Sequence, residues 1–287
     1  MLRHISFDCS RYTGDLRLVF YLFAVARSVL AQSYEAVPAP PQQGDTLRLR
    51  APAAAQSARM NGRTVRLFRD GSVREGLMPV PAQERPGTYK LEFLDGGGAV
   101  VNARDVVVRD AHFPRQSIRM TQETAALKAD PGEAEAAEAF RKTVTEIRFW
   151  TEPFTVPVPG CRTSPYGVGR VVNGKLTGNY HAGYDQRGAA GTPVRAVAAG
   201  VVRIARKWTL HGNTIGIDHG QGLLSMYLHL SRFAVAEGAE VKRGDVVGYV
   251  GTTGRSTAPH LHWSLYANGI PVNPGQWVKV AACPVKK

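Results

Sequence analysis

The sequence predicts a mainly β chain: a small N-terminal β-sandwich, a helical connector and a second β unit. Three observations lead there. From Asp45 to Phe113, short runs of alternating apolar and polar residues are separated by turn residues. In the second half, three segments each alternate an apolar face with a histidine-bearing face. Between them, residues 131–148 carry the other period, with Phe140, Val144, Ile147 and Trp150 spaced as a helical stripe.

Residues 1–33 read as an export signal. Arg11 and Arg17 precede the apolar run 18–26, which is long enough for a signal core and too short to span a bilayer. Small-residue cleavage points follow Ala26 and Ala31, while Asp15 and Arg27 depart from the usual pattern. No other stretch is apolar enough to cross a membrane. Residues 34–42, with Pro38, Pro40 and Pro41, read as an extended linker. Residues 43–113 form the expected sandwich of immunoglobulin-like type. Leu47 and Leu49 alternate with Arg48 and Arg50, Asp95-Gly96-Gly97-Gly98 marks a hairpin, and Val100 to Val108 returns. Its one histidine, His112, reads as exposed. Residues 114–150 are the connector. Pro131 opens its helix and Glu133, Glu135 and Glu138 suit the N-terminal end of the dipole.

Residues 151–287 carry the chemistry. Period two puts His260, His262, Ser264 and Tyr266 on one face and Leu261, Trp263 and Leu265 on the other. The same reading groups His181, Gly183 and Asp185, with Gly183 leaving room between two potential ligands. It sets Tyr227 and His229 opposite Leu224, Met226, Leu228 and Leu230. A catalytic zinc site takes three protein ligands plus water. His181, Asp185 and one of His260 and His262 meet that count, which leaves His229 and the unused partner for proton transfer. There is no His-Glu-x-x-His helix, so the base falls to imidazole. The glycine-punctuated loop from Gly160 to Gly178 offers Tyr166, Arg170 and Asn173, with Tyr180 just beyond, as substrate contacts. His211 and His219 sit at turns and read as structural.

The set His181-x-x-x-Asp185, Tyr227-Leu228-His229-Leu230 and Pro259-His260-Leu261-His262-Trp263 resembles the lysostaphin/LytM-type zinc metallo-endopeptidases, which cut peptide bonds in bacterial peptidoglycan. Ser164-Pro165-Tyr166-Gly167, Gly191-Thr192-Pro193-Val194 and Val250-Gly251-Thr252-Thr253-Gly254 strengthen the likeness, which covers roughly residues 151–277. The resemblance implies an antiparallel β domain holding one zinc ion per chain. It makes His181, Asp185 and His262 the ligands and His260 and His229 the catalytic histidines. It also implies peptidoglycan peptide stems as substrate, with D-amino acid cross-links or glycine bridges as the bond cut. The export signal and the extra β domain lean towards a D,D-type cross-link and action in the periplasm or cell envelope, and the chain is expected to be a monomer. The alternative is a non-catalytic LytM-like protein that binds peptidoglycan and activates another wall hydrolase. Such a protein lacks ligands, whereas all five positions are filled here.

A net charge of +13 suits an acidic partner. Nucleic acid is not expected, since no helix-turn-helix, zinc-finger or RNP-like signature occurs. Cys161 and Cys283, at the two ends of the C-terminal unit, are expected to form a disulfide in an exported chain, and Cys9 falls in the signal. From domain order alone, the N-terminal sandwich is expected to shield the zinc groove.

Overall fold

The computed structural model describes residues 33–284. The export signal therefore lies outside the described residues, except for Ser33. Among the described residues, no helix is long and apolar enough to cross a membrane.

Two four-stranded antiparallel sheets make the N-terminal unit. One orders strands Glu35–Val37, Thr46–Pro52, Val73–Pro79 and Phe68–Asp70; the other orders Arg63–Arg66, Ser57–Met60, Gly87–Leu94 and Val100–Val108. Alternate residues face inward, so Leu47, Leu49, Met60, Leu91, Phe93 and Val108 fill one core while the arginines between them stay out. The stretch 34–42 departs from the linker expectation. Glu35–Val37 pairs with Thr46–Pro52 and completes a sheet edge, because a strand's hydrogen bonds satisfy a backbone that proline leaves with few donors.

The C-terminal unit is built on a long antiparallel sheet. Its order is Arg162–Ser164, Tyr184–Arg187, His260–Ala267, Leu223–Leu230, Asn213–Gly220, Gly200–Lys207 and Glu240–Val241, with Ile270–Val272 returning on His260–Ala267. One face packs on Trp263, Tyr227, Leu261, Val197 and Val247. The other face is covered in part by helix Pro131–Arg141, whose Phe140 meets Ile204, Leu224, Met226, Leu228 and Tyr266. The strand Leu223–Leu230 is consequently buried on both faces rather than amphipathic. Leu77 and Ala82 of the sandwich join the C-terminal core. Thr46 and Gln276 exchange two hydrogen bonds across the junction, at 2.7 and 2.9 Å.

The connector helix ends at Arg141, well short of residue 148. The β-branched run Thr143-Val144-Thr145 is poor helix material. The chain there bonds to the neighbouring hairpin instead, with Gln221 N donating to Thr145 O and Phe149 N to His219 O. Val144 and Ile147 are exposed, so only Phe140 and Trp150 of the expected stripe are buried. Asp130 caps the helix start by accepting from Glu133 N. Cys161 and Cys283 are bonded, as expected, and close a loop around the sheet.

Candidate metal and catalytic site

The site forms where the middle strands of the sheet end. His260–Ala267 is regular, and its register sets Asp185 directly beside His262 and Leu228 beside His262 on the other side. His262 and Ser264 share the outer face while Leu261 and Trp263 are buried in the core. His181 precedes the strand that carries Asp185, so the two do not alternate along one strand. They meet because the chain turns tightly over Gly183. A Cβ there would lie 2.3 Å from the Trp263 carbonyl oxygen and 2.5 Å from Ser264 Oγ. The glycine thus admits the neighbouring strand's backbone, not a ligand between two side chains.

Three donor atoms converge. His181 Nε2 lies 3.0 Å from Asp185 Oδ1 and 3.0 Å from His262 Nδ1, and His262 Nδ1 lies 2.9 Å from Asp185 Oδ1. The far side of each ring is occupied. His181 Nδ1 donates to Pro165 O at 2.8 Å, and His262 Nε2 sits 3.0 Å from Ser264 Oγ, where it donates. Two imidazole lone pairs and a carboxylate oxygen therefore face one point with no proton between them, an arrangement that a cation relieves. Tetrahedral zinc with ligands at about 2.0–2.1 Å separates them by roughly 3.3 Å, close to this triangle. Burial alone would raise the Asp185 carboxyl, but positive charge at this point, on His181 and His262 when they are protonated, outweighs it and holds the carboxyl well below the usual carboxylate range. Burial pushes His262 down to about 4 despite the Asp185 carboxylate, which leaves it neutral and able to ligate.

His260 and His229 flank this triangle. His260 Nδ1 donates to Ala258 O at 2.7 Å, and its Nε2 lies 3.7 Å from Asp185 Oδ1. His229 Nδ1 donates to Thr253 O at 2.8 Å. The two rings are 5.2 Å apart, and His229 is 6.2 Å from His262. Burial first, then the neighbouring His262 and His260, push His229 down to about 3 against the pull of Thr253 O. Strict alternation would bury His229 beside Tyr227. Instead the strand bulges: Tyr227 pairs with Ile215 but Leu230 with Asn213, so three steps on one strand match two on the other. His229 takes a left-handed φ of +60° at that point. The bulge turns it outward to the site and sends Leu230 into the core with Tyr227.

A groove of about 390 Å³ runs over these groups. Arg170 and Tyr180 line it, along with His211 and Arg255. Tyr166 does not: it is buried, its hydroxyl donating to Pro271 O at 2.8 Å. Asn173 is spent on the connector, exchanging bonds of 2.9 and 3.0 Å with the Met120 backbone. Both depart from the expected substrate contacts, Tyr166 because it packs into the core and Asn173 because its amide is tied to the connector backbone. No lining residue comes from 43–113; Ile118, Met120 and Ala125 of the connector supply that wall. The shielding expected of the sandwich is not what the groove shows. His219 is fully buried, donating to Ala199 O and accepting from Ser225 Oγ, both at 2.8 Å. His211 is more than a turn residue. Glu133, a buried carboxylate on the connector helix, accepts from its ring Nδ1, from its backbone N–H at 2.9 Å and from Leu210 N at 2.9 Å. His211 O in turn accepts from His229 N at 3.1 Å. Sequence spacing gave no sign of this contact, since Glu133 also suits a helix N-terminus.

Residues 179–274, the span from the end of strand Lys175–Tyr180 to just past strand Ile270–Val272, match peptidase family M23. They are an M23 peptidase domain. Over 112 residues the chain is 48% identical to the DD-carboxypeptidase/endopeptidase Mpg of Neisseria meningitidis, covering 39% of this chain and 26% of that protein. It is 44% identical over 93 residues to the peptidoglycan DD-endopeptidase ShyA of Vibrio cholerae, covering 32% and 22%. This chain therefore spans about a quarter of the length of these curated relatives. A Pseudomonas aeruginosa crystal structure assigned to peptidase M23 superposes with a TM-score of 0.64 at 28% identity, over 84% of this chain and 95% of that one. The likeness to that structure thus extends beyond the M23 domain itself.

Proposed function

We propose that this protein is a zinc metallo-endopeptidase that hydrolyses peptide cross-links of bacterial peptidoglycan, with a D,D-type bond as its target. The observation that carries the reading is the convergence of four imidazoles and one carboxylate in a single groove. Each ring is anchored at one nitrogen and open at the other. In this reading His181, Asp185 and His262 hold the ion. When bound, zinc polarises a carbonyl and lowers the pKa of a coordinated water. His260, beside the ligands with its Nδ1 donating to Ala258 O, presents Nε2 to accept the proton released in attack. His229 stabilises the developing oxyanion or delivers a proton to the leaving amine. Arg170 and Tyr180 contact the peptide. The two relatives named above, one a DD-carboxypeptidase/endopeptidase and the other a peptidoglycan DD-endopeptidase by name, support the choice of bond. A glycyl-glycine endopeptidase of Staphylococcus capitis, 40% identical over 114 residues, marks the competing outcome.

The Cys161–Cys283 bond supports action outside the cytoplasm, in the periplasm or cell envelope, after removal of an export signal. We take 43–113, 114–150 and 151–287 as sandwich, connector and peptidase, acting as a monomer. The test is digestion of purified sacculi with mass analysis of the released muropeptides. Loss of cross-linked dimers with gain of monomers, abolished by His181→Ala and by a chelator, is expected. Wall binding and zinc binding without cleavage would sink the reading in favour of a non-catalytic activator.

A further inference from the structure

The connector reaches the metal site through one side chain. Strand Arg115–Ile118 adds in parallel to Gly169–Val172, the one parallel ladder among the described strands, and sets Gln116 beside Arg170. Gln116 Oε1 accepts two hydrogen bonds of 2.7 Å, from Arg170 Nη1 and from Ser164 Oγ. Both donors lead on to the site. Arg170 Nη2 donates to Asp185 Oδ2 at 3.2 Å, which leaves Oδ1 facing the two imidazoles. Ser164 Oγ lies 3.2 Å from His181 Nδ1, and Ser164 is buried.

We propose that Gln116 is a positioning residue for the zinc ligands His181 and Asp185, so that the connector strand is part of the metal centre. The chemistry lies in the serine proton. Ser164 has one proton to give and gives it to the Gln116 carbonyl. Its oxygen can then only accept from His181, so it acts with the Pro165 carbonyl to keep the proton on Nδ1 and the lone pair on Nε2, where a metal needs it. Without the Gln116 acceptor, the hydroxyl is free to turn its proton towards Nδ1, where it competes with the Pro165 carbonyl for the ring and loosens the pose that aims Nε2 at the metal. The same loss releases Arg170 from the fixed pose that orients the Asp185 carboxylate. The inference rests on reading the site as a zinc centre, and not on any peptide being cut.

The experiment measures zinc affinity of the full chain by competition with a chromophoric chelator, beside thermal unfolding of the metal-free protein. Gln116→Leu keeps the size and removes the acceptor. It is expected to weaken zinc binding about 10–100-fold, the range for loss of a partner behind a ligand. Gln116→Glu keeps an acceptor for both donors and is expected to stay within about threefold of wild type, as is Ser117→Ala on the same strand. Wild-type affinity in Gln116→Leu would overturn the proposal. Equal weakening in Gln116→Glu would overturn it too, since that would trace the effect to strand docking rather than to the acceptor. Gln116→Glu keeps the test valid if Gln116→Leu unfolds. A wild-type chain that binds zinc but cuts no peptide would defeat the proposed activity and leave this inference standing.

Discussion

The two sides of the groove hold their histidines by opposite means. On the metal side, His262 and Asp185 are neighbours in an unbroken antiparallel ladder. On the proton-transfer side, His229 stands on a bulge with a left-handed backbone, its N–H tied to His211 O and its ring to Thr253 O. A ladder fixes positions through many bonds of equal rank. A bulge aims one side chain and relies on a few contacts from elsewhere, here a loop held by Glu133 on the connector helix. The laddered pair His262 and Asp185 should thus tolerate changes at the sheet edge, with the Gln116 contact as the exception, while the proton side should be sensitive to changes in the loop that holds it.

The largest expected effect tests whether the two sides have separate duties. His181→Ala should lose zinc and at least about 10³-fold of activity. His229→Ala should keep zinc, measured by metal analysis, while turnover falls about 10²–10⁴-fold. Loss of zinc in the second variant would erase the distinction. Next comes the framework of the metal side. The disulfide closes a loop of sequence separation 122 and flanks the edge strand Arg162–Ser164 that pairs with the Asp185 strand. Replacing both cysteines by serine should cost about 2–4 kcal/mol in denaturant unfolding. Zinc affinity should change less than about threefold if the ladder and the Gln116 contact, rather than the disulfide, hold the donors.

A control comes from His219, which is bonded at both nitrogens, unlike the four site histidines. Burial pushes it down to about 4 from an ordinary 6.5, against its bond to Ala199 O and the Asp218 charge. The unfolded chain therefore binds a proton that the folded chain refuses. Stability is fully present above 6.5 and is lost as pH falls towards 4, by up to about 3 kcal/mol. His219→Gln should unfold with up to one proton fewer taken up in that window, read from stability against pH. The smallest effect concerns the bulge. At φ +60° a glycine avoids a strain that alanine keeps. His229→Gly should be more stable than His229→Ala by about 1 kcal/mol, with both equally inactive. No difference would mean that the bulge relaxes when the ring is gone.

The same contrast explains what could be read from the sequence. The pair His260 and His262 is legible because a regular strand repeats every two residues, and nothing interrupts it. The mainly β class and the inward residues of the sandwich follow from the same period. His229 is visible as a candidate but not as an outward-facing one, since a bulge shifts the period by one and leaves no mark in composition. The helix end at Arg141 leaves no mark in the sequence because Val144 and Ile147 keep helical spacing by accident, while their neighbours' backbone bonds go to a hairpin about seventy residues away. Gln116 and Glu133 act over comparable distances in sequence. An amide or a carboxylate in a connector carries no local signature of the atom it will meet.

The parallel strand also decides where this chain can be cut for grafting. By sequence likeness the exchangeable piece would begin near residue 179 and by composition near residue 151. The first cut discards Ser164 and Arg170 themselves, and the second keeps them but removes their shared acceptor, Gln116. Upstream, Ala111 N still bonds to Gln43 Oε1 of the sandwich, whereas Phe113 already packs edge-on against Tyr166. Between them His112 stands 86% exposed. A chimera that carries this peptidase onto another partner should therefore be joined at His112, so that the recipient receives the strand, the helix and the groove as one inherited block.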